Sequence, residues 1–356
     1  MFFPALTANL LTLTWQENLG EYITALDLSR QGILAIATGD GKIILQFEAE
    51  LNTLLSPTNN SIDCLAFSPD GKYLAAGGQD GKLRIWRNCS EIEANTALNW
   101  QLVTSLAHTP EWIDKLAWQA SSQQLAYSEG RNIYLWDSQT QKQVKQKLEF
   151  TDLILDLAWH PLGTHLAVAG NKGLKIWQIA KFNPQPEIIQ LNSPSLKLAW
   201  SQAGKYLACG NFDNTLRVWQ FGNPHPWQMK GFTGKIRNLV WSDSLNHPCL
   251  AVSSQNIIAV WQKPELASSW QANILDLHEA RVNAIAFQPH SLSLASISND
   301  GYLCLWENAQ HLSQIAAGIK SGLACLAWQP TGQSLAVGAK DGTVMRWQVD
   351  SQIKCN

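Results

Sequence analysis

The sequence predicts an all-β protein built from eight copies of one unit. An apolar segment recurs about every 40 residues, each unit ends in an aromatic residue, and turn-forming residues separate the short strands. The apolar segments begin at Ile23, Ile62, Ile113, Ile154, Ser195, Ile236, Val282 and Leu323. The units end at Phe47, Trp86, Trp136, Trp177, Trp219, Trp261, Trp306 and Trp347.

The second unit shows how each copy is divided into strands. Its first strand, CLAFSP, is a continuous apolar run typical of a strand buried on both faces, and Pro69-Asp70-Gly71 forms the turn after it. The second strand, KYLAAGG, is rich in small residues. A tight hairpin at Asp80-Gly81 leads to a third, alternating strand that ends at Trp86. A weaker fourth strand is expected in each connecting segment, as at Trp100–Leu106.

These strand cores, Asp turns and closing Trp residues resemble the WD40 family of β-propellers along essentially the whole chain. The family's Trp-Asp dipeptide is kept only at Trp136-Asp137, and the His before the first strand only at His108 and His278. The resemblance implies a single propeller domain over 1–356. It also implies that one blade holds a structural hydrogen-bond network, formed by His278, Ser298, Asp300 and Trp306.

The repeat count favours eight four-stranded blades, with seven as the alternative because seven is commoner in the family. The segment 1–20 contains Leu10–Trp15, which fits as an N-terminal strand that closes the last blade. The blade cores are expected near 22–48, 61–87, 112–137, 153–178, 194–220, 235–262, 281–307 and 322–348. The first blade, with Phe47 in place of Trp, and the third, with Gly130-Arg131 in place of the Asp turn, fit the pattern least well.

Composition excludes several classes of protein. Lys and Arg number 26 against 28 Asp and Glu, so the chain lacks the basic excess that a nucleic-acid-binding protein needs. No apolar run is long enough to span a membrane. The seven Cys are scattered without a C-x-x-C pair, and the N-terminus has no Lys or Arg before Arg30. We therefore expect no signal peptide, no membrane partner and a cytoplasmic location.

The motif search predicts no catalytic residues, no metal ligands and no cofactor. P-loop, H-E-x-x-H and G-x-S-x-G motifs are absent, and the His and Cys residues lack ligand spacing. Five hairpin carboxylates are expected to serve their own turns: Asp40, Asp80, Asp213, Asp300 and Asp341. The sequence therefore favours a non-enzymatic protein. The alternative is a propeller with a small-molecule or metal site in its central channel, either an enzyme or a ligand- or metal-handling protein.

The WD40 resemblance implies where a partner would bind. In that family the residue before each first strand, and the second residue within it, surround the channel mouth on the top face. Here these positions form an acidic and aromatic arc of Tyr22, Asp63, Trp112 and Asp114. A basic arc faces it, formed by Lys235, Arg237, Arg281 and Asn283. We therefore expect an interaction scaffold that docks a protein or peptide carrying both charge signs.

Two longer connections, 87–99 and 263–269, follow third strands and are expected on the opposite, bottom face. They are either tolerated loop insertions or contacts for a particular partner.

Overall fold

The structure, a computed structural model, describes residues 10–89, 99–107, 111–121, 123–179, 185–264, 269–316 and 318–350. These residues form eight antiparallel sheets arranged as the blades of a ring. Seven blades have four strands, and the outer strand of the third blade is divided into two short strands. The predicted eight-bladed propeller is confirmed, and the seven-bladed alternative is wrong.

The strands of each blade follow one another from the channel outward. The innermost strands are β2 (Ile23–Leu28), β6 (Ile62–Phe67), β10 (Leu116–Trp118), β15 (Ile154–Trp159), β19 (Ser195–Trp200), β23 (Ile236–Trp241), β27 (Val282–Phe287) and β31 (Leu323–Trp328). The second strands are β3 (Leu34–Thr38), β7 (Tyr73–Gly78), β11 (Gln124–Glu129), β16 (His165–Gly170), β20 (Tyr206–Asn211), β24 (Leu250–Ser254), β28 (Leu294–Ser298) and β32 (Ser334–Ala339).

The two outer layers complete the blades. The third strands are β4 (Ile43–Phe47), β8 (Leu83–Asn88), β12 (Asn132–Asp137), β17 (Gly173–Gln178), β21 (Leu216–Gln220), β25 (Ile257–Gln262), β29 (Leu303–Glu307) and β33 (Thr343–Val349). The outermost strands are β5 (Glu50–Leu55), β9 (Trp100–Leu106), β13 (Lys142–Gln143) with β14 (Leu148–Glu149), β18 (Glu187–Gln190), β22 (Trp227–Met229), β26 (Gln271–Leu275), β30 (His311–Ala316) and β1 (Leu11–Asn18).

The N-terminal strand closes the ring, as predicted. β1 pairs antiparallel with β33, from Leu11 opposite Val349 to Asn18 opposite Thr343. The buried side chain of Gln314, on the outer strand of the seventh blade, holds the same strand from the other side. Its Oε1 accepts from Leu11 N at 2.8 Å, and its Nε2 donates to Leu11 O at 3.1 Å. Two neighbouring blades therefore fix the closing strand.

Tryptophan indoles at the ends of the innermost strands join neighbouring blades. Each donates its Nε1–H to an innermost-strand carbonyl of the preceding blade, over 3.0 to 3.3 Å. The five are Trp118, Trp159, Trp200, Trp241 and Trp328. Phe67 has no indole, and there its backbone N–H donates instead to Asp27 Oδ2 of the first blade at 2.7 Å.

The third blade departs most from the repeat. The sequence predicts a first strand from Ile113, but β10 spans only Leu116–Trp118. Ile113 is still buried, and its backbone N–H donates to the carbonyl of Gly78 in the second blade at 3.1 Å. The missing Asp turn at Gly130-Arg131 marks the same blade, so the weak point predicted from the sequence coincides with its short inner strand and divided outer strand.

Candidate functional site

A buried hydrogen-bond network lies in the seventh blade, but one of its predicted members is wrong. His278 Nδ1 lies 2.9 Å from Asp300 Oδ2 and its Nε2 lies 2.8 Å from Ser296 Oγ. Trp306 Nε1 donates to the same Ser296 oxygen at 2.9 Å. The serine of the network is therefore Ser296. Ser298, which the sequence predicts as its serine, does not contact His278: it donates to Ala280 O at 2.8 Å in the loop before β27 and accepts from the backbone N–H of Asp300 at 3.2 Å.

Strand register explains this correction. Leu294 pairs with Trp306, and the network serine stands two residues further along β28, within reach of both rings. The corresponding residues of the other blades are Ile36, Ala76, Tyr127, Val168, Cys209, Val252 and Val337. None of them is a serine or threonine, so an aliphatic hydroxyl at this position is found in the seventh blade alone. The other family-type histidine, His108, lies outside the described residues.

The network is fully satisfied in its neutral form. Because a carboxylate only accepts, His278 donates its Nδ1–H to Asp300, its Nε2 accepts from Ser296, and Ser296 accepts from Trp306. Burial acts to raise the pKa of Asp300. The hydrogen bonds from His278 and from the Tyr302 and Glu279 backbone outweigh it and hold that pKa below its ordinary value. This arrangement braces the loop before β27 against the hairpin, and the Ser296 hydroxyl is fully buried within it.

A repeated β-bulge sets the geometry at the start of the innermost strands. In seven of the eight blades the ladder between the first and second strands skips the second residue of the first strand. A bulged residue leaves the ladder, and its side chain is re-aimed. The residues skipped are Thr24, Asp63, Leu155, Leu196, Arg237, Asn283 and Ala324. They include three of the predicted partner-binding residues.

Several predicted partner-binding residues are engaged within the protein. Asn283 Nδ2 donates to Asn299 Oδ1 and to Leu323 O of the eighth blade, both at 2.6 Å. Asp63 accepts from Ser61 Oγ at 2.6 Å. Asn283 thus joins two blades, and its amide is not free for a partner.

Asp114 and Lys235 also have partners of their own. Asp114 Oδ2 lies 2.6 Å from Lys115 Nζ, and its Oδ1 accepts from Ser128 Oγ at 3.3 Å. The Lys235 ammonium lies over the Phe212 ring, 3.6 Å from its centroid. These internal contacts reduce what either charge can offer to another molecule.

The remaining predicted residues are presented to solvent. Trp112 is 58% exposed and Tyr22 is 43% exposed. Arg237 is exposed and, within the described part of the chain, its side chain forms no hydrogen bond or ion pair. Arg281 is exposed and makes one long contact, from its Nε to Asn283 Oδ1 at 3.4 Å. These four residues are the available members of the two predicted arcs.

The structure adds two residues that the sequence analysis did not single out. Phe212 and Lys340 follow the second strands of their blades, and their backbone N–H groups donate to the pre-strand carbonyls of Pro194 and Gly322. They therefore stand beside the predicted ring of positions. Phe212 is 47% exposed. Both residues directly follow the second strand of their repeat unit, and this shared position could have identified them from the sequence.

The described residues contain neither a candidate metal cluster nor a membrane-spanning helix. No group of three or more His, Cys, Asp or Glu side chains is placed to hold a metal ion. None of the described elements is a helix long and apolar enough to cross a membrane.

The ring of four-stranded blades, the closing strand and the braced hairpins define a repeat propeller, and comparison with known families agrees. The family described as "WD domain, G-beta repeat" (WD40) matches residues 49–87, 143–178, 193–220, 270–307 and 313–348. The chain belongs to the WD40-repeat family. The cores of the first, third and sixth blades lie outside these matches; the first ends in Phe47, and the third lacks the Asp turn.

Curated relatives match only in part. Protein HIRA of Dictyostelium discoideum is 29% identical over 143 residues, 35% of this chain and 13% of that protein. Ribosome biogenesis protein ERB1 of Scheffersomyces stipitis is 30% identical over 26% of this chain and 12% of its own length. A probable cytosolic iron-sulfur protein assembly protein 1 of Cryptococcus neoformans is 36% identical over 18% of this chain and 16% of its own length. The matches thus span a small part of each relative.

Solved structures agree over almost the whole fold. Sqt1 of Chaetomium thermophilum, bound to the N-terminus of ribosomal protein L10, superposes with a TM-score of 0.79 at 19% identity, covering 93% of this chain and 97% of that chain. The computationally designed Ika8 protein superposes with a TM-score of 0.73 at 20% identity, covering 94% and 98%. At these identities the likeness concerns the fold.

Proposed function

We propose that this protein is a non-enzymatic interaction scaffold that docks a peptide or protein segment on its top face. The observation that carries the proposal is the pair Trp112 and Arg237, both exposed beside the channel mouth on different blades. Tryptophan and arginine are the residues most enriched in interface hot spots. Within the described residues Arg237 makes no internal side-chain contact that a partner would have to break.

Similar proteins support this reading. Sqt1, whose fold this chain shares, was solved with the N-terminus of ribosomal protein L10 bound to it. Two relatives are described as assembly or biogenesis proteins. The His278 network of this chain is buried, with Ser296 0% and His278 3% exposed, so its hydroxyl is not accessible to a substrate. The partner itself is to be found by experiment.

Affinity capture from native lysate, quantified by mass spectrometry, tests the proposal with matched variants. The top-face variant combines Trp112→Ala with Arg237→Glu. The control combines Leu162→Ala with Lys142→Glu, exposed residues at the bottom end of the third and fourth blades. We expect the top-face variant to lose a stoichiometric partner that the wild type and the control retain. A partner retained equally by both variants would contradict the proposed surface.

We also propose a cytoplasmic location. All six described cysteines are free thiols, and burial raises the pKa of the Cys64, Cys209 and Cys325 thiols above its ordinary value. Buried unpaired thiols suit a reducing compartment. Imaging of the tagged protein tests this, and secretion into the medium would contradict it.

A further inference from the structure

We infer that the segment bound at the top face is acidic and carries a bulky apolar side chain, rather than carrying both charge signs as the sequence alone indicates. This inference rests on the proposed function, because it names the chemistry of the partner at that same surface. Three observations support it: the state of the cations around the channel mouth, the state of the carboxylates, and the position of the exposed apolar side chains.

Three cations at the channel mouth form no ion pair within the described residues. Arg237, Arg281 and Lys340 belong to the consecutive sixth, seventh and eighth blades, and within the described residues none of the three forms an ion pair. Glu279 is the nearest exposed carboxylate in sequence, two residues before Arg281, but no ion pair joins them. Three unpaired cations on adjacent blades form a local positive region on a protein whose net charge is −2.

One of the two carboxylates predicted to face them is already paired with a cation. Asp114 is paired with Lys115 at 2.6 Å and accepts from Ser128, and Asp63 accepts from Ser61. A basic group of a partner would have to compete with Lys115 for Asp114. Within the described residues Asp63 is thus one carboxylate without an ion pair, against three cations without one, so the charge balance at the channel mouth favours a negatively charged partner.

Besides Tyr22 of the first blade, three exposed apolar side chains of the top face lie on consecutive blades. Trp112, Leu153 and Phe212 belong to the third, fourth and fifth blades and are 58%, 56% and 47% exposed. Lys235 lies over the Phe212 ring where this apolar arc meets the basic arc. Exposed large apolar residues grouped in this way mark an interaction site.

The ring places these two arcs on facing sides. In an eight-bladed ring the third blade faces the seventh across the channel, so Trp112 and Arg281 stand on opposite sides of its mouth. A segment that crosses the mouth would bury an apolar side chain against Trp112, Leu153 or Phe212. Its carboxylates would then lie beside Arg237, Arg281 and Lys340.

Selection from a random peptide library displayed on phage tests this inference. We expect the selected peptides to combine Asp or Glu with Trp, Phe or Leu. Replacing their carboxylates by amides should weaken binding at least ~10-fold, with a loss of similar size for Arg237→Glu and for Arg281→Glu. Binding should also weaken as salt rises from about 50 to about 500 mM. Lys142→Glu, a matched charge reversal on the bottom face, should leave affinity unchanged.

The alternative outcomes separate the inference from the proposed function. Peptides that require Trp112 but are basic, or that tolerate replacement of their carboxylates, would overturn the inference and leave top-face docking intact. A library that yields no peptide sensitive to Trp112→Ala or Arg237→Glu would contradict the proposed function as well. Urea unfolding of each variant checks that these exposed substitutions leave the fold intact.

Discussion

The seventh and fifth blades satisfy their buried polar groups with different residues. Both must satisfy polar groups buried beneath the top hairpin. The seventh blade uses the His278–Asp300 pair with Ser296 and Trp306. The fifth uses a neutral amide: Asn211 Oδ1 accepts from Ser195 Oγ at 3.0 Å, and its Nδ2 donates to Thr215 O and Oγ1, both at 3.1 Å.

The difference shows that the family's hallmark residues are one of several means of stabilising a blade. With Cys209 in place of the network serine, the buried Trp219 Nε1–H of the fifth blade has no hydrogen-bond partner among the described residues. The blade nevertheless keeps the same four-stranded order as the seventh. Buried apolar surface holds both blades, and the polar network adds to it.

The largest expected effect comes from removing the centre of each network. His278→Ala removes one hydrogen bond to the buried Asp300 carboxylate and leaves Ser296 without its acceptor, which should cost ~3 kcal/mol. Asn211→Ala removes neutral hydrogen bonds only and should cost ~1–3 kcal/mol. Urea unfolding of the two variants measures the difference. A greater loss for Asn211→Ala would mean that ionisation does not distinguish the two blades.

The Asp27 carboxylate, which accepts from backbone N–H groups and not from a histidine, extends the comparison with Asp300. Burial raises the pKa of Asp27 to about 6, and the N–H groups of Phe67 and Leu28 only partly oppose it. Because this folded-state pKa lies above the unfolded value, the stability contributed by Asp27 is complete below about pH 4. It is lost as the pH rises through about 6, by at most ~3 kcal/mol. The contribution of Asp300, whose pKa is lowered, is instead lost as the pH falls below about 4.

The Asp27→Asn variant tests this dependence. We expect the stability of the wild type relative to Asp27→Asn to decline between about pH 4.5 and pH 7 and then to level off. Urea unfolding of both proteins at intervals across this range measures it. Parallel curves for the two proteins would show that the Asp27 carboxyl has an ordinary pKa.

The smallest expected effect isolates one hydrogen bond. Trp306→Phe removes an indole that donates to Ser296 at 2.9 Å. Trp219→Phe removes an indole whose N–H has no hydrogen-bond partner among the described residues. Both substitutions shrink a buried ring, so the ring terms largely cancel. Trp306→Phe should be the more destabilising by ~1 kcal/mol in urea unfolding. Equal losses would indicate that the Ser296 contact contributes nothing.

Much of the fold could be predicted because the repeat carries it in every unit. The closing Trp residues, the Asp-Gly turns and the apolar strand near Leu11 sufficed for the blade number and the closing strand. The extent of β10 could not be predicted, since periodicity places Ile113 at the start of a strand whether or not the ladder begins there. Hydrogen bonding across blades decides that point.

The candidate site was less predictable, because a position is set by the repeat and its chemistry by its neighbours. The sequence predicts Asn283 and Asp114 near the channel mouth. Only the structure shows that Asn283 is hydrogen-bonded to Leu323 O and that Asp114 is ion-paired with Lys115. Ser296 and Ser298 lie two residues apart on one strand, so spacing alone could not say which one reaches His278.

The closing strand has a consequence for synthesis of the chain. Leu11 emerges from the ribosome 338 residues before its partner Val349, by 349 − 11. At bacterial to eukaryotic elongation rates that interval is roughly 17 to 70 s. Throughout it β1 has no strand to pair with, and the growing ring stays open. The polar side chains of Gln16, Glu17 and Asn18 disfavour pairing of the unpaired β1 with strands of other chains.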